Sequence, residues 1–151
     1  GFLCLVFRKR LTVNQILNQK GKQIFSVSST LTVYEAIKVM GEKNIGALLI
    51  IENESLKGIL SERDYARKVV LKGRSSLDTF VHEIMEDELI TVKPSDNIDY
   101  CMELMSSKRI RHLPVVENGT VLGIISIGDV VKGIIEMQKE TIDYLHTYIS
   151  Q

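Results

Sequence analysis

The sequence is poor in the residues that announce chemistry. Only two cysteines, Cys4 and Cys101, occur in 151 residues. They stand too far apart for a CxxC motif and are too few for a secreted disulfide scaffold, so a reducing compartment, most simply the cytoplasm, is expected. Net charge is lacking too: 19 Lys and Arg balance 19 Asp and Glu. No overall field recruits DNA, RNA or an anionic membrane, and neither nucleic acid nor membrane is an expected partner. The apolar opening GFLCLVF is seven residues long and the basic RKR follows it rather than precedes it, which makes neither a membrane span nor a signal peptide. Packing against another subunit is the one role expected of it. His82, His112 and His146 stand alone, and HExxH, GxSxG, GxxxxGK and GxGxxG are all missing, so neither a metal nor catalysis is expected. What is present is a hydrophobic content of 44%, enough for the core of one ordinary domain without staples.

The chain is written twice. Val27 to Asp64 matches Val92 to Asp129 without gaps at an offset of 65 residues, with eleven of thirty-eight positions identical and most others conserving class. Ile50 and Ile51 answer to Val115 and Val116, Leu56 to Val121, Leu60 to Ile125. An upstream echo extends the repeat, VNQIL at Val13 resembling VHEIM at Val81. Two copies imply a paired unit rather than a solenoid.

Each copy has the same local grammar. After a short strand at Phe25 to Val27, Val33, Ala36, Ile37 and Met40 share one face at helical spacing, and Thr32 with Glu35 makes a capping box. Ile45 to Ile51 is a continuous apolar run of strand length, expected to be covered on both faces. A turn, ENES in one copy and ENGT in the other, leads to a second strand at Leu56 to Leu60, which runs into a helix near Ser61. The order per copy is strand, helix, strand, strand, helix. LKGRSS, residues 71–76, is the expected linker between copies spanning 13–73 and 77–140. From Ile127 an apolar stripe through Val130, Val131, Ile134, Met137, Ile142, Leu145 and Ile149 predicts one long helix continuing through 141–151. So long a stripe suggests a surface for a second subunit.

Both copies end in one phrase: GILSERD from Gly58 and GIISIGD from Gly123. Taken singly, each S-x-x-D is explained as a helix cap, the hydroxyl accepting an orphan N–H and the carboxylate favouring the positive end of the helix. The repetition, the glycine three residues earlier, and a helix start able to take an anion together suggest more. A phosphate fits at the Ser, and an Asp carboxylate one turn in can accept both hydrogens of a ribose diol.

With RHLPVVENGTVLGIIS from Arg111, this duplicated pattern resembles a tandem pair of cystathionine β-synthase (CBS) domains, the Bateman module, over roughly Val13 to Val131. The resemblance implies an α+β fold of two packed CBS motifs, β-α-β-β-α each, related by a pseudo-twofold axis. It also implies a regulatory energy or redox sensor that binds an adenine nucleotide (AMP, ATP or NAD) in clefts between the copies. The ribose carboxylates would be Asp64 and Asp129, and the phosphate-contacting hydroxyls Ser61 and Ser126. Backbone around Val27, Gly46 and Ala47, and around Val92, His112 and Pro114, would hold the base between walls that include Ile45 and Ile110. Arg63 and Arg111 could reach phosphates with paired, charge-assisted bonds. Copy two offers no cation near Asp129 until Lys132, so copy one is expected to suit the more highly charged ligand. The expected partners are a second subunit, in a homodimer, and an unknown regulated protein. The competing reading is a dimerisation scaffold with degenerate pockets.

Overall fold

The structure is a computed structural model, and it describes residues 11–21 and 23–150. The apolar opening, and with it Cys4, lies outside the described residues. Helix α1 spans Val13–Lys20, β1 Ser26–Val27, α2 Val33–Lys43, β2 Ala47–Glu52, β3 Ser55–Ser61 and the short α3 Glu62–Tyr65. A π-helical turn, Ala66–Val70, extends α3. Then come α4 at Val81–Ile84, α5 at Ile98–Lys108, β4 at His112–Glu117, β5 at Thr120–Ser126 and the long α6 at Ile127–Ser150. The strand-helix-strand-strand-helix order is therefore found in copy one, and copy two repeats it with only a bridge in place of its first strand.

Local chemistry explains the elements. The Thr32 hydroxyl accepts the Glu35 N–H at 3.2 Å to start α2, and Asn97 does the same for Tyr100 at 2.9 Å to start α5. Both helices stop on a left-handed residue, Asn44 (φ 54°) and Arg109 (φ 55°). Ala47 to Ile50 are buried in succession, as a strand covered on both faces must be. The β2–β3 ladder is antiparallel and closed by Asn53 and Glu54, both at positive φ; Asn118 and Gly119 occupy the same turn in copy two.

Copy one builds a three-stranded sheet, β1 pairing parallel to β2 with Val27 opposite Ile50. In copy two Val92 sits opposite Val115 in the same parallel register, yet only as an isolated bridge beside the two-stranded β4–β5 sheet. The reason is one residue. Leu49 donates its N–H to the Phe25 carbonyl at 3.4 Å, whereas Pro114 stands at the matching position and has no N–H to give.

The described residues form two compact units that do not follow the order of the copies. One comprises Gln23–Ile90 with Asn118–Val121; the other is drawn from Thr91–Glu117, the chain from Leu122 onward, and the described residues before Gln23. The leading segments have changed places. In the first unit Val81 and His82 donate to the carbonyls of Leu31 and Ser29, and Val33 donates to Thr79. In the second, Val13 and Asn14 donate to Asp96 and Pro94, and Ile98 donates to Leu11. The three bonds correspond one to one. Residues 71–76 lie in the first unit, where Tyr34 donates to the Ser76 carbonyl and Arg74 pairs with Glu83 at 2.6 Å.

The first unit buries Val33, Ala36, Met40, Leu48, Ile50, Leu60, Val69, Val81 and Ile84 as one cluster. The second buries Leu11, Val13, Ile16, Leu17, Ile98, Cys101, Leu113, Val115, Ile125 and Val130. Burial pushes the Cys101 thiol up to about 11, helped by the charge of Asp96, so it behaves as a small apolar core residue rather than a nucleophile.

Candidate functional site

The repeated phrase forms a strand-to-helix corner in each unit. At the first, the Ser61 N–H donates to Asp64 Oδ2 at 2.9 Å, the Ser61 hydroxyl donates to the same oxygen at 2.9 Å, and the Asp64 N–H donates to Ser61 Oγ at 3.1 Å. The Glu62 N–H is held by the Gly46 carbonyl at 3.0 Å. The second corner repeats this frame: Ser126 N–H to Asp129 Oδ2 at 2.8 Å, Asp129 N–H to Ser126 Oγ at 3.1 Å, and Ile127 N–H to the Arg111 carbonyl at 2.9 Å. The capping box is thus fully made at both corners. This corrects the expectation that the helix N–H groups stand open for a phosphate, since three at each corner already have acceptors.

The repeated glycine has a different explanation from a ligand's approach. A Cβ on Gly58 would lie 2.8 Å from Met85 Sδ and 3.0 Å from the Glu86 carbonyl oxygen. Glu86 exchanges both backbone bonds with Ile59 there, each at 2.9 Å. A Cβ on Gly123 would lie 3.0 Å from Leu17 Cδ2. In both copies the glycine makes room for the leading segment written in the other copy.

The two carboxylates differ in their cations. Lys68, four residues along from Asp64, reaches its Oδ1 at 3.3 Å and donates to the Ile84 carbonyl at 3.0 Å. At the second corner Lys20, from the end of α1, donates to Asp129 Oδ2 and to the Ile124 carbonyl, both at 2.7 Å. The reading that Lys132 is the nearest cation is therefore corrected. Burial raises the Asp129 pKa, but the Lys20 bond and the Ser126 N–H outweigh it and hold the carboxyl below the usual range. A small open cavity of about 170 Å³ is lined by Ile16, Gln19, Lys20, Asp129 and Lys132. No spacing rule within copy two could have found Lys20. The one available signal was the upstream echo, whose offset is 68 rather than 65.

The remaining expected residues sort by unit. In the first, Val27 pairs on β2, Gly46 is bonded to the helix start and Ala47 lies opposite Ser61 across the ladder; Ile45 is half-buried beside them. Arg63 is exposed on the first turn of α3. In the second, the carbonyl of buried Pro114 accepts the Val92 N–H at 3.0 Å; Ile110 and His112 are half-buried and Arg111 is exposed. Main-chain groups around residues 46 and 111 thus meet the two corners, while Val27 and Val92 pair three residues further along, opposite Ile50 and Val115. Among the described residues no cluster of His, Cys, Asp or Glu is placed to share a metal ion, and no helix is long and apolar enough to cross a membrane.

Comparison with known proteins agrees with this architecture. Residues 16–71 and 81–136 match the CBS domain family. The chain is 40% identical over 147 residues to CBS domain-containing protein CBSX3, mitochondrial, of Arabidopsis thaliana, covering 91% of this chain and 71% of that one. A solved protein with CBS domains from Burkholderia ambifaria MC40-6 is 51% identical, with a TM-score of 0.80 over 83% of this chain and 94% of that one. The CBS domain pair of protein MJ0100, solved in complex with methylthioadenosine and S-adenosyl-L-methionine, is 28% identical, with a TM-score of 0.72 over 80% of this chain and 93% of its own.

Proposed function

On the premise that this chain belongs to the CBS domain family, we propose that it is a non-catalytic regulatory module that binds an adenine nucleotide, AMP, ATP or NAD, at its two Ser/Asp corners. The copies 13–73 and 77–140 act as its two repeats. The observation that carries this reading is the corner made twice: Asp64 and Asp129 each have Oδ2 fixed by the N–H of the Ser three residues earlier, which leaves Oδ1 outside the capping box. An acceptor held in place by its own backbone needs little reordering to take a ribose hydroxyl. Backbone around Val27, Gly46 and Ala47, and around Val92, His112 and Pro114, then reads the base, with Ile45 and Ile110 as walls. Ser61 and Ser126 meet a phosphate when the ligand opens the box, and Arg63, Arg111, Lys20 and Lys132 supply the cations. That the MJ0100 pair holds adenosine-based ligands supports the ligand class.

The module works as an energy or redox sensor in the cytoplasm, as a homodimer that passes ligand occupancy to a regulated protein. Such a response cannot exceed the ligand's differential affinity for two arrangements of the module. A thermal melt of the full chain with AMP, ATP and NAD in turn tests the reading. At ~100 times the dissociation constant a bound nucleotide adds about 2.7 kcal/mol of stability. No shift with any adenine nucleotide would leave the scaffold reading, which the exposed apolar face of α6 favours.

A further inference from the structure

The cavity beside the second corner is cationic, although the chain as a whole is neutral. Its lining comes from α1 and α6, both of one compact unit. Ile16 gives an apolar, buried wall, Gln19 an amide, Lys20 and Lys132 two ammonium groups, and Asp129 the one carboxylate. Like charges gathered around a hollow repel one another unless an anion lies between them, and Asp129 offsets one lysine only. Donors are in excess as well. An ammonium carries three hydrogens, and Lys20 spends two of them, on Asp129 Oδ2 and the Ile124 carbonyl. Among the described residues Lys132 pairs neither with Asp129, three residues before it, nor with Glu136, four after, although helical spacing allows both. At about 170 Å³ the hollow falls well below the ~300 Å³ at which pockets for whole small molecules begin. It has room for the end of a ligand.

We propose that Gln19, Lys20 and Lys132 form a subsite for a phosphate beyond the first, so that the second corner selects nucleoside di- and triphosphates over monophosphates. The inference rests on the nucleotide reading for what lies on the corner itself, ribose at Asp129 and the first phosphate at Ser126. Asp129 lines the hollow and belongs to the corner, and Lys132 stands about one turn beyond it on α6. A phosphate chain leaving the corner along that helix therefore enters the hollow. There Lys20 offers its third hydrogen without releasing Asp129, and Lys132 offers all of its own. A phosphate set between two ammonium groups gains charge-assisted bonds that a monophosphate does not reach. This reverses the order expected from the residues beside each Asp, because the deciding cation arrives from α1 rather than from copy two.

Calorimetric titration of the full chain with ATP, AMP, adenosine and pyrophosphate tests the subsite, in an Asp64→Ala background that weakens the first corner. With Lys132→Met added, ATP should bind about tenfold more weakly, while AMP and adenosine change by less than about twofold. The melt should not move, since Lys132 has no partner among the described residues. Lys132→Arg should keep the preference for ATP. Lys20→Met should lose it too, with the added stability cost of unpairing Asp129. Pyrophosphate alone should compete with ATP and not with adenosine. Equal weakening of ATP and AMP by Lys132→Met, or none of either, overturns the subsite and leaves the nucleotide reading standing. Pyrophosphate that binds through Lys132 in a chain indifferent to every adenine ligand upholds the phosphate site and overturns the nucleotide reading. Indifference to all four ligands overturns both.

Discussion

The Asp64 and Asp129 corners make the same main-chain bonds and recruit their cations from unrelated places. Ser N–H to carboxylate, Asp N–H to hydroxyl, and helix start to the carbonyl of residue 46 or 111 recur with distances agreeing within 0.1 Å. The cation is Lys68 on the same helical segment at the first and Lys20 from a segment far away in sequence at the second. A hydrogen-bonded cap demands fixed geometry, so both copies keep it. A positive charge near a carboxylate demands only proximity, and two unrelated side chains can meet that demand. The same contrast recurs at the edges: Leu49 against Pro114 decides strand or bridge, and Asn44 against Arg109 shows one backbone conformation held by a residue that suits it and one that does not.

The largest expected consequence concerns the ligand. Asp64→Ala and Asp129→Ala each remove the acceptor proposed for ribose, costing about 1.5–3 kcal/mol of affinity at that corner, measured by calorimetric titration. Both also lose a cap worth about 1 kcal/mol, so melts must accompany the titrations. Unchanged affinity in both variants would reduce the corners to caps. Next comes Gly58→Ala, which drives a methyl against a backbone carbonyl and should lose about 1–3 kcal/mol in urea unfolding. Gly123→Ala meets the tip of Leu17, which can give way, and adds strain at a φ of 158°, so it should lose about 1 kcal/mol. A loss at Gly123 larger than at Gly58 would overturn this order.

The cations separate by pH. The folded Asp129 carboxyl lies below its unfolded value, so its pairing contributes stability above ordinary carboxylate pKa values and loses it as pH falls through the depressed one. With both side chains partly exposed, Lys20→Met should cost about 1 kcal/mol at neutral pH, vanishing in acid. Lys68→Met should cost a few tenths. Acid-unfolding curves of the two variants read this difference, and coincident curves would remove it. Opposite in sign is the backbone at Glu54, at φ 64°. Glu54→Gly should stabilise by about 0.5–1 kcal/mol in urea unfolding.

Elements whose causes are local were legible in the residues: the α2 helix from its cap and spacing, the doubly covered β2 from its unbroken apolar run, the long α6 from its stripe. The Ser/Asp frame was legible for the same reason, since its donors and acceptors lie within three residues of one another. The short α3, with its π-helical extension, was not, because nothing in ERDYARKVV marks where one helical form gives way to another.

What the sequence determined by itself is the duplication, the order of elements within each copy, and the closed caps at Ser61 and Ser126, all consequences of periodicity and of bonds between near neighbours. Tertiary structure alone decided that each leading segment docks in the unit of the other copy, that Gly58 and Gly123 make room for it, and that Lys20 neutralises Asp129. Those outcomes depend on which surfaces meet after the chain has doubled back. Hydrophobic burial is non-directional and proportional to area, and it leaves no short-range signature of its partner.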